Sequence, residues 1–65
     1  MSAHIERMKE EHKELSMKIT DLTAFIYGND TFKSLGSIEQ ADMIKQLGFM
    51  ESYARVLDGR IWSAK

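Results

Sequence analysis

The chain has 65 residues, of which 43% are hydrophobic and 29% are charged, and it contains no cysteine. This length predicts a single domain over residues 1–65, and the composition is typical of a folded protein. Without cysteine, neither a disulfide framework nor a thiolate metal site can form. Nine basic and ten acidic residues give a net charge of -1. This balance argues against duplex DNA as a partner, because DNA-binding domains usually carry a basic excess.

Membrane and export segments are not predicted. No window approaches the roughly 18 apolar residues that a membrane span requires. The first residues, MSAHIER, lack the unbroken apolar stretch of a secretory signal peptide. We therefore expect a cytoplasmic protein that does not bind a membrane.

The first long helix is predicted from Ser2 or Ala3 to Tyr27. Ser2 can act as its N-cap, and the pair Gly28-Asn29 tolerates a left-handed exit from the helix. Apolar or seam-compatible residues recur in steps of three and four, which is the pattern of a helix packed along one partner. They are Ile5, Met8, His12, Leu15, Ile19, Leu22 and Ile26.

A short helical turn is predicted next, over residues 30–35 and ending at Gly36. Ser37 and Gln40 then have the spacing of a capping box, which predicts that the Ser37 hydroxyl caps a second long helix. This helix should extend from Ile38 to about Ser63. It carries its own seam of period 3.5, formed by Met43, Leu47, Met50, Ala54, Leu57 and Ile61.

Two long helices joined by a short connection predict an all-α, antiparallel two-helix hairpin. The second helix has further apolar residues beyond its seam, namely Ile44, Phe49, Tyr53 and Val56, followed by Arg60. One interpretation is a single broad stripe that faces one partner helix. The other is that a second face, with Phe49, Tyr53 and Val56, contacts another subunit. Because so short a chain buries a small core, we favour a homo-oligomer.

Catalytic chemistry has little support in the sequence, and we expect neither an enzyme nor a cofactor. Serines and the two histidines stand in no recognisable nucleophile setting. Glu10, Glu11, His12 and Glu14 could suggest a metal cluster. The stronger interpretation puts His12 on the seam and the glutamates on a solvated face, with Glu14 paired to Lys18. We therefore predict no metal site.

Two cations flank the apolar surface. Lys18 adjoins the seam residue Ile19, and Arg60 adjoins Ile61. Such residues can extend their aliphatic stems over an interface while the charge stays in water. Alternatively, they hold an anionic ligand at a subunit boundary, with aromatic faces nearby for stacking. Composition leaves both interpretations open.

The ordered pattern of both helices resembles the helical-hairpin domain of phage anti-CBASS sponge proteins, which anti-Thoeris sponges also contain. The resemblance covers nearly the whole chain. It rests on R7-M8-x-x-E11-x-x-E14-L15-x-x-K18-I19-x-x-L22-x-x-F25-I26, F32-x-x-L35, E39-Q40, Q46-L47-x-x-M50-x-x-Y53 and V56-L57-x-x-R60-I61.

This resemblance implies a phage protein of immune evasion that acts in the cytoplasm of the infected bacterium. It implies a homohexamer that sequesters cyclic di- and trinucleotides, such as cGAMP or cyclic tri-adenylate, without cleaving them. The family's dinucleotide site corresponds to Lys18 and, in place of an aromatic residue, His4. Its trinucleotide site corresponds to Arg60 and Thr20. The competing hypothesis is a helical adaptor that inhibits a host protein by direct contact through the Phe49, Tyr53 and Val56 face.

Overall fold

The computed structural model describes residues 2–64, which form three helices. Helix α1 spans Ala3–Gly28, the short α2 spans Asp30–Ser34, and α3 spans Ser37–Ser63. Helices α1 and α3 lie antiparallel along each other in a molecule of 47 × 15 × 13 Å. The predicted all-α hairpin with a helical turn at its connection is therefore confirmed.

The apolar seam between the long helices is the core. Every residue of the two predicted seams is buried or half-buried. Leu57 is the most deeply buried, at 1% exposure, and burial of a leucine side chain typically stabilises a fold by roughly 1.5–3 kcal/mol. At the connection, Phe32 of α2 joins Ile26 and Leu47 in a buried cluster. Helix α2 thus covers the end of the seam that the two long helices leave open.

The ends of α1 follow the sequence prediction at one side only. Ser2 is extended, and its hydroxyl accepts a hydrogen bond from the Ile5 N–H at 3.3 Å, as an N-cap should. The predicted left-handed exit is wrong. Gly28 is the last helical residue, and Asn29 is extended with φ -113° and ψ 126°. The Asn29 side chain instead caps α2, accepting from the Thr31 N–H at 2.8 Å.

The predicted capping box at Ser37 is also wrong. Ser37 is already the first helical residue of α3, and the N-cap position belongs to Gly36, which offers no side-chain bond. The Gln40 amide does reach back, but to the chain before it. Its Nε2 donates to the carbonyl of Leu35 at 2.8 Å and to that of Lys33 at 3.3 Å. Lys33 lies in the last turn of α2 and Leu35 directly follows the helix, where backbone acceptors lack helical partners.

The outer surface of α3 carries exposed apolar residues on two different sides of the helix. Phe49, Tyr53 and Val56 are exposed on the surface of α3. Ile44 is exposed too, but five residues before Phe49 it lies about 140° away around the helix, so it does not belong to their stripe. The seam supplies the buried contact between the long helices, and Phe49, Tyr53 and Val56 remain on the surface of the chain. Within residues 2–64, no helix is long and apolar enough to cross a bilayer.

Gln40→Ala is expected to lower the free energy of unfolding by about 1–2 kcal/mol, because two carbonyls lose a donor and one bond is partly buried. Ser37→Ala is the matched control and should leave stability unchanged, since Ser37 caps nothing. Urea unfolding followed by circular dichroism measures both variants. Equal destabilisation of the two variants would contradict this assignment and support the predicted capping box at Ser37.

Candidate functional site

Three shallow grooves line one side of the hairpin. The Lys18 groove lies between α1 and α3 and is formed by Lys18, Asp21, Leu22, Phe25, Met43, Gln46 and Met50. The Tyr53 groove shares two of these residues and is formed by Asp42, Lys45, Gln46, Phe49, Met50 and Tyr53. The Arg60 groove, at the open end of the hairpin, is formed by His4, Met8, Val56, Gly59, Arg60, Ser63 and Ala64. Both predicted cations therefore stand at the edge of a groove.

The Lys18 groove has an apolar floor and a charged rim. Leu22, Met43 and Met50 belong to the seam and supply the floor, while Lys18 is exposed. Within residues 2–64, the Lys18 ammonium group forms no hydrogen bond and no ion pair, so the predicted pairing with Glu14 is wrong. An ammonium group without a protein partner beside an apolar floor is well placed to meet an anion that also carries a flat apolar part.

Tyr53 connects the two long helices. Its hydroxyl donates a hydrogen bond to Oε2 of Glu11 on α1. This bond, together with desolvation and the Glu11 charge, raises the pKa of Tyr53 above its ordinary value of 10.0, while the charge of Arg60 opposes the rise. The neutral phenol is thus favoured, and the bond fixes the ring at the border of the Tyr53 groove.

The Arg60 groove brings together residues from opposite ends of the chain. His4 near the start of α1 and Arg60 near the end of α3 are both exposed and line the same surface. Lys18 lies 14 residues beyond His4, which is about 21 Å along a helix with a rise of 1.5 Å per residue. Within one chain, His4 therefore neighbours Arg60 and not Lys18.

Thr20 stands apart from the other predicted site residues. It lines a fourth groove made by α1 alone, with Lys13, Ser16, Met17 and Asp21. Its hydroxyl donates to the Ser16 carbonyl at 3.0 Å, which leaves only the oxygen lone pairs for a ligand. One chain does not bring Thr20 and Arg60 together.

Sequence reasoning missed three residues of the Lys18 groove, namely Asp21, Phe25 and Gln46. Phe25 could have been predicted from the sequence, because a spacing of seven from Lys18 places both residues on one helix face. Gln46 belongs to the other helix, so its position depends on how α1 and α3 are aligned.

Among the described residues, no three His, Cys, Asp or Glu side chains form a group that could hold a metal ion.

Comparison with known proteins assigns the family. The profile of the Sequestin family matches residues 2–63. The chain belongs to the Sequestin family. This membership confirms the resemblance to phage sponge proteins and favours sequestration over catalysis.

The chain is also similar to a protein of Enterobacteria phage T4, which supports its assignment to a phage family. That relative is a 7.5 kDa protein of the denB-rIIB intergenic region, 36% identical over 61 residues that cover 94% of each chain. No solved structure matches the chain.

Titration of Tyr53 tests the contact that connects the helices. In a Tyr27→Phe background, where Tyr53 is the remaining tyrosine, the phenolate absorbance should rise with a midpoint above pH 10. Because the raised pKa belongs to the folded state, the stabilisation is complete below pH 10 and is lost as the pH rises through that midpoint. Adding Glu11→Gln should lower the midpoint, since both the charged acceptor and its repulsion disappear. An unchanged midpoint would contradict the contact.

Proposed function

We propose that this protein is a phage sponge for cyclic di- and trinucleotides, such as cGAMP or cyclic tri-adenylate. It withholds the messengers of CBASS immunity from their effectors and acts in the cytoplasm of the infected bacterium. The proposed role requires binding and release of an intact nucleotide and no catalytic group. The observation that carries the proposal is the Lys18 groove of a Sequestin family chain, where an unpaired cation borders an apolar, aromatic surface.

The chemistry of the groove suits a nucleotide. Phosphate oxygens accept charge-assisted hydrogen bonds from an ammonium group, and these bonds are about twice as strong as neutral ones. A base needs a flat apolar surface, which Phe25 and the methionine side chains provide. The Phe25 ring is itself braced edge-to-face against Phe32, with 6.1 Å between centroids. The groove thus offers a separate contact for each half of a nucleotide.

Two subunits are needed to complete the dinucleotide site. Each chain supplies one Lys18, whereas a cyclic dinucleotide carries two phosphates related by an approximate two-fold axis. An isologous contact between chains presents every residue twice, so a second Lys18 meets the second phosphate. A ligand that contacts both Lys18 and His4 also requires two chains, because these residues lie about 21 Å apart in one chain.

The proposed trinucleotide site also needs residues from more than one chain. The Arg60 guanidinium is exposed in its groove, and within residues 2–64 it makes no hydrogen bond or ion pair. Its planar donors match phosphate oxygens in a bidentate manner. Since Thr20 lies on another surface of the chain, a site that uses both residues takes them from different subunits.

Assembly through the outer stripe of α3 provides these pairs. Phe49 is 75% exposed and Val56 is 57% exposed, although both are large apolar residues. A lone hairpin of this size leaves them in water, and covering them with another copy removes that unfavourable exposure. We propose a homo-oligomer with Phe49, Tyr53 and Val56 at its interface, and the family resemblance favours a hexamer.

Phe49→Asp should dissociate the assembly, because a carboxylate would have to be buried in an apolar contact. Sedimentation velocity at micromolar concentration should give a multimer for the wild type and a smaller species for this variant. Ile44→Asp is the matched control: it makes a comparable change at the other edge of α3 and should leave the multimer intact. A monomeric wild type, or dissociation by Ile44→Asp alone, would contradict the proposed interface.

Loss of the two cations should be separable by ligand. Lys18→Ala should weaken binding of a cyclic dinucleotide by roughly 10- to 100-fold, since a charge-assisted bond contributes about 1.5–3 kcal/mol. Arg60→Ala should weaken a cyclic trinucleotide by a similar factor. Titration calorimetry with cGAMP and cyclic tri-adenylate measures both, and size-exclusion chromatography verifies assembly.

Matched controls for these titrations lie outside the three grooves. Lys33→Ala and Arg55→Ala remove the same charges and should bind both ligands as the wild type does. If Lys18→Ala and Arg60→Ala also bind like the wild type, the cations only cover apolar surface with their stems. If the wild type binds neither nucleotide, the protein is not a sponge for them. The competing hypothesis, an adaptor that acts on a host protein, is then favoured.

A further inference from the structure

The Lys18 groove contains a carboxylate that an ordinary phosphate site would avoid. Asp21 lies three residues after Lys18 on α1, is exposed, and lines the same groove. In the described part of the chain, the Asp21 carboxylate forms no hydrogen bond and no ion pair with Lys18 or another cation. Across the groove, the Gln46 amide nitrogen rests against the Met50 sulfur at 3.9 Å.

A carboxylate here disfavours phosphate and must be offset by another contact with the ligand. Like charges repel, so Asp21 reduces the attraction that Lys18 exerts on any anion. A carboxylate only accepts hydrogen bonds, and it becomes favourable when the ligand presents donors to it. Two adjacent donors are best, because the two oxygens can then accept in parallel.

Guanine is the purine that meets this requirement. Its Watson–Crick edge carries N1–H and the N2 amino group side by side, and both can donate to one carboxylate. Adenine carries an amino group beside the N1 lone pair, so a carboxylate gains one hydrogen bond and faces one repulsive contact. We propose that Asp21 is a specificity-determining residue that selects guanine in the cyclic nucleotide bound at the Lys18 groove. This inference rests on the proposed function.

The remaining residues of the groove fit this role. Phe25 and Met50 provide apolar surface for the face of the base, and Lys18 stands one helical turn away from Asp21 for the phosphate. Gln46 approaches from α3, and its amide can serve either the O6 or the N7 acceptor of guanine. Base edge, base face and phosphate are therefore contacted by different side chains of one groove.

Calorimetric titration with cyclic di-guanylate and cyclic di-adenylate tests the inference. The wild type should bind the guanine ligand more tightly. Asp21→Asn keeps the size of the side chain and replaces one acceptor with a donor, which suits adenine. The ratio of guanine to adenine affinity should fall by about tenfold or more, as expected for one bidentate base contact. The ratio is the readout because loss of a negative charge strengthens binding of both anions alike.

Asp58→Asn is the matched control, since it removes the same charge from an exposed position of α3 outside the grooves and should leave the ratio unchanged. Circular dichroism and size-exclusion chromatography confirm that each variant folds and assembles. A wild type that prefers adenine, or an Asp21→Asn ratio equal to that of the wild type, overturns the role of Asp21 while cyclic-nucleotide binding stands. A wild type that binds neither ligand overturns this inference and dinucleotide binding together.

Discussion

Burial of one apolar seam between two antiparallel helices is the constraint on which the rest of this structure depends. Two helices can cover only the surfaces that face each other, and here those surfaces end in the cluster around Phe32. Large apolar residues on the outer surface of α3, including Phe49 and Val56, stay in contact with solvent. The Lys18 groove lies along the edge of the seam, whose side chains form its floor. The grooves are shallow in one chain, and the proposed assembly would enclose the ligand by adding a second copy.

The contact between Tyr53 and Glu11 involves both the pairing of the two helices and the proposed interface. It lies on the grooved side of the hairpin and connects the two helices beside residues that line the Tyr53 groove. A hydrogen bond to a charged acceptor holds its ring in one orientation more firmly than packing at an exposed site would. The same ring belongs to the proposed interface, so the contact orients an interface residue before assembly. Pre-orientation of this kind lowers the entropy lost when two copies associate.

The fold was predictable from the sequence because the seam has a strict helical period, and residues such as Leu47 and Leu57 occupy it as expected. Helix ends were less predictable, since several local hydrogen bonds compete there. Gln40 fits a capping box by spacing, yet its amide donates to the carbonyls of Lys33 at the end of α2 and Leu35 just after it. In the candidate site, the exposure of Lys18 and Arg60 agrees with positions beside the seam. The placement of Asp21 and Gln46 in one groove depends on how the two helices are aligned, and the pattern of a single helix does not reveal that alignment.

Charge balance in the Lys18 groove bears on how a sponge can be selective. An infected cell contains many phosphate anions, and a site built of cations alone would attract them all. Lys18 and Asp21 together give the groove no net charge, so attraction to a bare anion is weak. Under the proposed role of Asp21, a ligand gains only when it offers donors to the carboxylate, phosphate to the ammonium and a flat face to Phe25 at once. Specificity then comes from rejection as much as from attraction, because a ligand that lacks the donors leaves a carboxylate desolvated and unpaired.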